Sequence, residues 1–219
     1  MKLHPTPRDV SHHRRRVLHG AAALALLASG LVRAQALPAT PANALGPFYP
    51  SAKPADSDAD LTQVAGHAGR AQGTILYVTG RVLDTNGKPA SGAMLELWQA
   101  NAFGRYTHPR DSDASGRLDP GFQGYGTLRA ASDGTFRVKT IKPPPYSGRT
   151  PHIHFIVAGG GTRLTTQMFF EGEALNERDG LYRYLSADDR RASTGRWVDR
   201  ARGAEDGSLA VAWDIVLAA

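Results

Sequence analysis

The chain has 219 residues, of which 41% are hydrophobic, 21% charged and none cysteine, and its formal net charge is +6 at pH 7. That length suits one domain of ordinary size that can bury most of its apolar surface. The lack of cysteine excludes disulfide staples and thiolate metal sites, so any metal must be held through His, Tyr or carboxylate groups.

Much of the basic charge sits at the N-terminus. Arg14-Arg15-Arg16-Val17-Leu18 precedes an apolar run over residues 20–32, and Ala34-Gln35-Ala36 follows as a small-x-small cleavage pattern. The run is too short to span a bilayer, and its flanks are those of an export signal. Paired arginines directly before it predict the twin-arginine route and a periplasmic destination; an ordinary secretory signal is the alternative. Cleavage after Ala36 leaves 183 residues with 20 basic and 19 acidic side chains. So even a balance gives no electrostatic case for nucleic acid, and no second apolar run is long enough for a membrane anchor.

Residues 37–73 are rich in Pro, Ala, Asp and Gly and read as an irregular arm before a domain over 74–219. Within the arm, Gly46-Pro47-Phe48-Tyr49-Pro50 fixes the backbone with two prolines and offers two aromatic rings. They either clamp the arm to the domain surface or form a lip over a pocket. Residues 75–78 and 80–83 predict one strand, bulged at Gly80, and Asn86-Gly87 marks the tight turn after it. Residues 93–98 predict the next strand, and 109–125 a long surface loop. Residues 127–131 and 134–141 predict a hairpin around Ser132-Asp133-Gly134. Pro143-Pro144-Pro145 then stops pairing, because proline donates no ladder hydrogen bond, and delivers Tyr146 from a stiff segment. Strands over 152–158 and 163–171 flank the turn Gly159-Gly160-Gly161. Short helices fit only within 174–192, and a last strand spans 209–217. Many short strands with Gly/Pro/Asp turns predict an all-β fold: a β-sandwich with a long irregular N-terminal arm and a few short helices.

The chemistry concentrates near Tyr146-Ser147-Gly148-Arg149-Thr150-Pro151-His152-Ile153-His154. A strand puts residues i and i+2 on one face, their Cα atoms about 6.6 Å apart. His152 and His154 therefore project together and can reach one metal ion, while Ile153 points the other way. Taken alone, the pair equally suits a solvated strand face, because it supplies only half of a closed ligand set. Past the export signal the histidines are His67, His108, His152 and His154, so candidates to complete a site are few. Tyr146 and Tyr106 are two. A phenol titrates near pH 10, so phenolate ligation at neutral pH calls for a strongly Lewis-acidic ion such as Fe(III). Two phenolates and a hydroxide would also balance its three positive charges.

Several motifs, in order over residues 45–172, resemble the intradiol ring-cleavage dioxygenases, with the protocatechuate branch nearest. They are Glu96-Leu97-Trp98-Gln99-Ala100-Asn101, Gly104-Arg105-Tyr106-Thr107-His108, Asp119-Pro120, Thr140-Ile141-Lys142-Pro143, Tyr146, Arg149, Pro151-His152-Ile153-His154-Phe155 and Arg163-Leu164-Thr165-Thr166-Gln167-Met168-Phe169-Phe170. Gly46-Pro47-Phe48-Tyr49-Pro50 fits as well. The resemblance implies a β-sandwich holding a mononuclear non-haem Fe(III) through Tyr106, Tyr146, His152 and His154. Tyr106 and His152 would be equatorial with a hydroxide, and Tyr146 and His154 axial. It implies catalytic roles for Arg149, Tyr146 and Gln167, with Arg149 stabilising developing negative charge and Tyr146 leaving the metal as it takes a proton. Phe48, Tyr49, Trp98 and Arg149 would contact substrate, and His108 would be structural. The partners implied are a small aromatic diol and dioxygen, the product is a muconate-type diacid, and assembly into a homo-oligomer is compatible with this reading.

The chain also departs from the family pattern. Its segment from Tyr146 to His152 is shorter than in the cytoplasmic catechol and protocatechuate enzymes, which thins one wall of the site, and the helical dimerisation region of the catechol enzymes has no counterpart. Two other readings compete. A cupin also carries His-x-His, but it needs a glutamate soon after the second histidine, and the next acid here is Glu171. An exported transthyretin-like binding module would suit Gly80-Arg81-Val82-Leu83-Asp84-Thr85-Asn86-Gly87, yet leaves the two tyrosines and two histidines as coincidence.

Overall fold

The computed structural model describes Met1, residues 36–112 and residues 116–218. The expected export signal thus lies outside the described residues, apart from its two end positions. Among the described residues no helix is long and apolar enough to cross a membrane.

Among the described residues nine strands follow one another: β1 (Ile75–Asp84), β2 (Met94–Trp98), β3 (Tyr125–Arg129), β4 (Thr135–Ile141), β5 (His152–Gly159), β6 (Thr162–Phe170), β7 (Thr194–Trp197), β8 (Leu209–Ala212) and β9 (Ile215–Leu217). Single 3-10 turns at Asn176–Arg178 and Tyr182–Tyr184 and one short helix, α1 (Ala187–Ser193), fall in or next to the segment expected to be helical. Ser186 caps α1 by accepting from Asp189 N–H, the role its hydroxyl suits.

The strands run β3-β2-β5-β6-β7-β8-β1-β4 across the sheet, with β9 beside β1. β7 is the pivot, parallel to the end of β6 and antiparallel to β8. The halves on either side of it share one core. Leu95 and Leu97 of β2, Ile153, Phe155 and Val157 of β5, and Met168 and Phe170 of β6 pack with Leu76 and Val78 of β1 and Phe136 and Val138 of β4. Each such side chain, fully buried, contributes about 1.5–3 kcal/mol. The all-β expectation holds.

Four local expectations do not. The hairpin over 127–141 is replaced by an arch. β3 pairs with β2, from Met94↔Arg129 to Trp98↔Tyr125, while β4 pairs with β1, from Ile75↔Ile141 to Arg81↔Thr135. The turn itself forms, with Gly134 N–H donating to Ala131 O at 2.9 Å, but its two strands enter opposite halves of the sheet. β3 also begins at Tyr125, inside the expected loop.

Gly80 is not bulged, since β1 and β4 pair one to one through it. It is glycine because a Cβ there would stand 1.8 Å from the Trp213 carbonyl oxygen. The same close approach splits the expected strand over 209–217. Trp213 N–H donates to Thr79 O at 2.8 Å, and the Asp214 carboxylate takes Arg81 N–H at 2.8 Å, so β8 and β9 both run beside β1 with a break between them.

The arm straps the body rather than leaving it. Leu37, Thr40 and Asn43 donate their N–H groups to Thr85, Val216 and Thr165 carbonyls at 2.8, 2.9 and 2.8 Å. Further on, Leu61 is wholly buried in the main core.

Candidate metal centre

β5 lies between β2 and β6, with His154 opposite Trp98 on one side and Gln167 on the other, and His152 opposite Phe169. Alternation sends Ile153, Phe155 and Val157 into the main core and the two histidines to the other face. There a second apolar cluster forms from Trp98, Ala100, Tyr106, Tyr125 and Ile156, with Phe48, Tyr49 and Tyr146 packed against it. His152 and His154 are only 1% and 2% exposed, so this is not a solvated strand face. Their ring centroids are 4.9 Å apart.

The tyrosines arrive on loops. Tyr146-Ser147-Gly148-Arg149 is a tight turn in which Arg149 N–H donates to Tyr146 O at 2.7 Å. Ser147 and Gly148 both have positive φ, 44° and 76°, as a type I′ turn requires. Glycine adopts this freely; for Ser147 it costs about 1–2 kcal/mol, strain located at the site itself. Tyr106 is set by two side chains. Asn101 Oδ1 accepts from Phe103 N–H at 2.9 Å and Arg105 N–H at 3.1 Å, and Asp111 Oδ2 takes Tyr106 N–H at 2.7 Å.

These elements bring all four expected ligands together. The hydroxyl oxygens of Tyr106 and Tyr146 are 3.1 Å apart, and Tyr146 Oη is 3.3 Å from His152 Nε2. His152 Nδ1 lies 2.6 Å from the Thr150 carbonyl oxygen. Only an N–H can satisfy that contact, so Nε2 keeps its lone pair toward the phenols. Burial, helped by the Arg149 charge, holds His152 down to about 4. Burial, with His152 and Arg149, pushes His154 well below the usual histidine value. Both imidazoles are therefore neutral at pH 7, the form that binds metal. Trp98 stacks on His154, centroids 4.8 Å apart and planes within 11°.

The donor set fits a metal ion. Two donors each about 2.1 Å from one ion at right angles stand about 3 Å apart, close to the Tyr106–Tyr146 and Tyr146–His152 spacings, and the His154 ring lies beside these with its centroid 4.9 Å from that of His152. Nδ1 of His154 is buried without a hydrogen-bond partner. Burial raises both phenols, with each other's proximity adding for Tyr106, so only a strong Lewis acid would ionise them. Among the described residues no trio of His, Asp and Glu is grouped to hold a metal, which leaves the tyrosines as the groups that would complete the set. His108 Nδ1 accepts from Arg110 N–H at 3.1 Å, and its ring centroid is 5.9 Å from that of Phe48.

Arg149 and Gln167 form one unit. Arg149 Nη2 donates to Gln167 Oε1 at 2.7 Å, and Gln167 Nε2 donates to Ala44 O at 2.8 Å. Arg149 Nε donates to Asp179 Oδ2, also at 2.7 Å. Asp179 is a residue that the motif reading misses. Its carboxylate is wholly buried and accepts four bonds, from Arg149 Nε and Thr150 N–H at one oxygen and from Leu181 and Tyr182 N–H at the other. Burial pushes the carboxyl up, but these hydrogen bonds outweigh it and hold it below the usual value. Asp179 lies between two 3-10 turns with no local pattern to mark it.

The Phe48–Tyr49 lip covers the opposite side. The Phe48 ring is 4.8 Å from Tyr106, and Tyr49 meets Trp98 edge-on at 5.0 Å. Gly46, at φ 77°, lies against His154, where a Cβ would stand 3.0 Å from Cε1. A small cavity of about 100 Å³ opens here, walled in part by Phe48, Trp98 and Tyr106. A larger one of about 580 Å³, walled by Tyr182, Arg190, Arg196 and Trp213, includes none of the expected site residues. The small one is the relevant space, because it alone of the two touches an expected ligand.

Known proteins resemble this chain. A family model described as "Dioxygenase" matches residues 45–219. The protocatechuate 3,4-dioxygenase beta chain of Burkholderia cepacia is 41% identical over 161 residues, 69% of this chain and 64% of that one. The hydroxyquinol 1,2-dioxygenase of Nocardioides simplex is 32% identical over 164 residues, 66% of this chain and 52% of that one. This chain thus spans between half and two thirds of those relatives' length. Among solved structures, the dioxygenase domain of a dioxygenase–carbohydrate-binding fusion from Streptomyces sp. SirexAA-E superposes with a TM-score of 0.63 at 28% identity, covering 83% of this chain and 99% of that domain. With a family model running through all four gathered side chains, the chain belongs to the intradiol ring-cleavage dioxygenase family.

Proposed function

We propose that the protein is an exported, non-haem Fe(III) intradiol dioxygenase. Its substrate is an aromatic 1,2-diol, opened between the two hydroxylated carbons with both atoms of dioxygen to give a muconate-type diacid. The observation that carries this reading is the meeting of a buried phenol, Tyr106, and a half-buried one, Tyr146, with two buried, neutral imidazoles; the phenol oxygens are 3.1 Å apart and Tyr146 Oη is 3.3 Å from His152 Nε2. A binding module has no use for such a set. Ferric iron held by Tyr106, Tyr146, His152 and His154 would supply the Lewis acidity and redox capacity that let dioxygen react with a bound diol.

The chain's own groups do the rest. Tyr146 sits on a two-residue turn rather than in the sheet, so its phenol can swing away and take a diol proton at Oη. Burial keeps that phenol a weak acid, hence a willing base once ionised. Arg149 spends Nε on Asp179 and one Nη2 hydrogen on Gln167; its charge and remaining N–H groups face negative charge as it develops on the ring and its oxygens. Because Asp179 and Gln167 fix the guanidinium beforehand, little reorganisation is left for the reaction. Trp98, Phe48 and Tyr49 keep water from the ligands. The diol class is suggested by the names of the relatives, which act on protocatechuate and hydroxyquinol.

Oxygen uptake by iron-loaded protein, with catechol, protocatechuate and hydroxyquinol in turn, tests the reading. The expected result is one dioxygen consumed per diol and a diacid carrying both atoms of isotopically labelled dioxygen. No uptake with any of the three, or incorporation of a single labelled atom, overturns it. Export rests on Arg14, Arg15 and the apolar run after them. Replacing both arginines with lysine should leave the full-length precursor in the cytoplasm, and unchanged processing would contradict the twin-arginine route.

A further inference from the structure

The lip over the metal centre is held in an unexpected way. Before it, Asn43 N–H donates to Thr165 O at 2.8 Å, and Gln167 Nε2 to Ala44 O at 2.8 Å. After it, Thr127 N–H donates to Ser57 O at 2.6 Å. Between these pins, among the described residues, the polar tethers from residues 45–56 to the sheet are Tyr49 Oη and Lys53 Nζ, and both end on Glu96. Tyr49 donates to Glu96 Oε2 at 2.7 Å and Lys53 at 2.9 Å, while Tyr125 of β3 donates to the same oxygen at 2.8 Å.

Glu96 is 9% exposed, a carboxylate on β2 that would be costly there without donors. Packing adds less to the lip than a core would. Residues 51–55 are exposed, and Pro50, Ala52 and Pro54 wall the 100 Å³ cavity instead of filling it. Yet this lip touches the site directly. Gly46 lies on His154, Phe48 on Tyr106 and Tyr49 on Trp98, and Trp98 in turn stacks on His154.

We propose that Glu96 is the positioning residue of this lip: one carboxylate oxygen clasps residues 45–56 to the sheet and so sets Phe48 and Tyr49 over the bound diol. What the lip covers rests on the dioxygenase reading; the clasp does not. Hydrogen exchange of the folded protein, read on peptides spanning residues 45–56 and 152–159, is the test. Glu96→Ala should speed exchange in the lip about tenfold or more, the loss of charge-assisted bonds, with β5 still protected. Glu96→Gln, which keeps an acceptor but no charge, should have a smaller effect. Lys53→Met changes only an exposed side chain and should give the smallest rise, which keeps the test alive if Glu96→Ala fails to fold.

Unchanged lip exchange in the Glu96 variants overturns the clasp. So does a rise in β5 that matches the lip, which would mean that Glu96 merely supports the sheet. With iron-loaded protein, Glu96→Gln should raise KM several-fold with iron content unchanged and kcat little altered. A fall in kcat at constant KM would contradict a positioning role. An inactive parent protein would sink the dioxygenase reading alone, leaving exchange to decide the clasp.

Discussion

The four expected ligands come in two kinds. His152 and His154 ride on a strand bonded on both sides, to β2 and β6. Tyr106 and Tyr146 ride on loops held by turn geometry and a few side-chain bonds. A strand fixes direction and spacing to within the pleat, so the imidazoles would form the permanent half of the proposed metal site. On the proposed function, a loop would allow one ligand to leave without disturbing the fold, and Tyr146, on a strained two-residue turn, is the one proposed to do so. The division of labour follows from where the sequence puts strand and turn.

Substitutions can test that division, the strand side first. Removing a strand ligand, His152→Ala or His154→Ala, should abolish iron retention, and with it lower turnover by more than the roughly 10- to 100-fold that outer-sphere changes cost. Metal analysis of purified variants checks this; full iron content would break the comparison. Tyr146→Phe should keep iron yet slow turnover about 100-fold, the lower range for a lost acid–base group, with slower substrate binding in stopped flow. Unchanged binding and steady-state kinetics would contradict the view that the loop ligand is the mobile one.

Asp179→Asn probes the link from the turn to the body. Its carboxyl titrates below the usual value when folded. It therefore adds stability that is complete above the unfolded value near pH 3.9 and is lost as pH falls through the folded one. At pH 7 the variant should be less stable by about 1–3 kcal/mol, and the gap should narrow below about pH 4. Urea unfolding at both pH values measures it; a constant gap would mean that the charge is not what matters. Gly46→Ala should have the smallest effect. Its positive φ and the His154 ring together cost about 1–2 kcal/mol, or about 2–8 °C in Tm for a protein of this size.

The same contrast governs which features are legible in the amino-acid sequence. His152 and His154 stand out because period-two alternation is local and needs no partner. The tyrosines are legible from the residues only as candidates, and resemblance is what joins them, since Tyr106 and Tyr146 lie 40 residues apart and no spacing rule connects them. Asp179 and the role of Glu96 stay hidden for a related reason: each matters through donors contributed by distant segments, 29 to 47 residues away for the three donors to Glu96. The arch between β3 and β4 misleads in the opposite way, because Ser132-Asp133-Gly134 has good turn chemistry and turn chemistry does not say which half of a sheet each strand joins. At Gly80 the sequence marks a special position, but the cause is the Trp213 carbonyl pressed against it rather than a bulge.

On the proposed function, two phenols and two imidazoles would close around one ferric ion. The visible absorption spectrum of the protein reconstituted with iron tests it most directly. A strong charge-transfer band is expected, weakened and shifted in Tyr146→Phe as one phenolate is lost. A colourless protein with iron bound, or a spectrum indifferent to Tyr106→Phe and Tyr146→Phe alike, would contradict it.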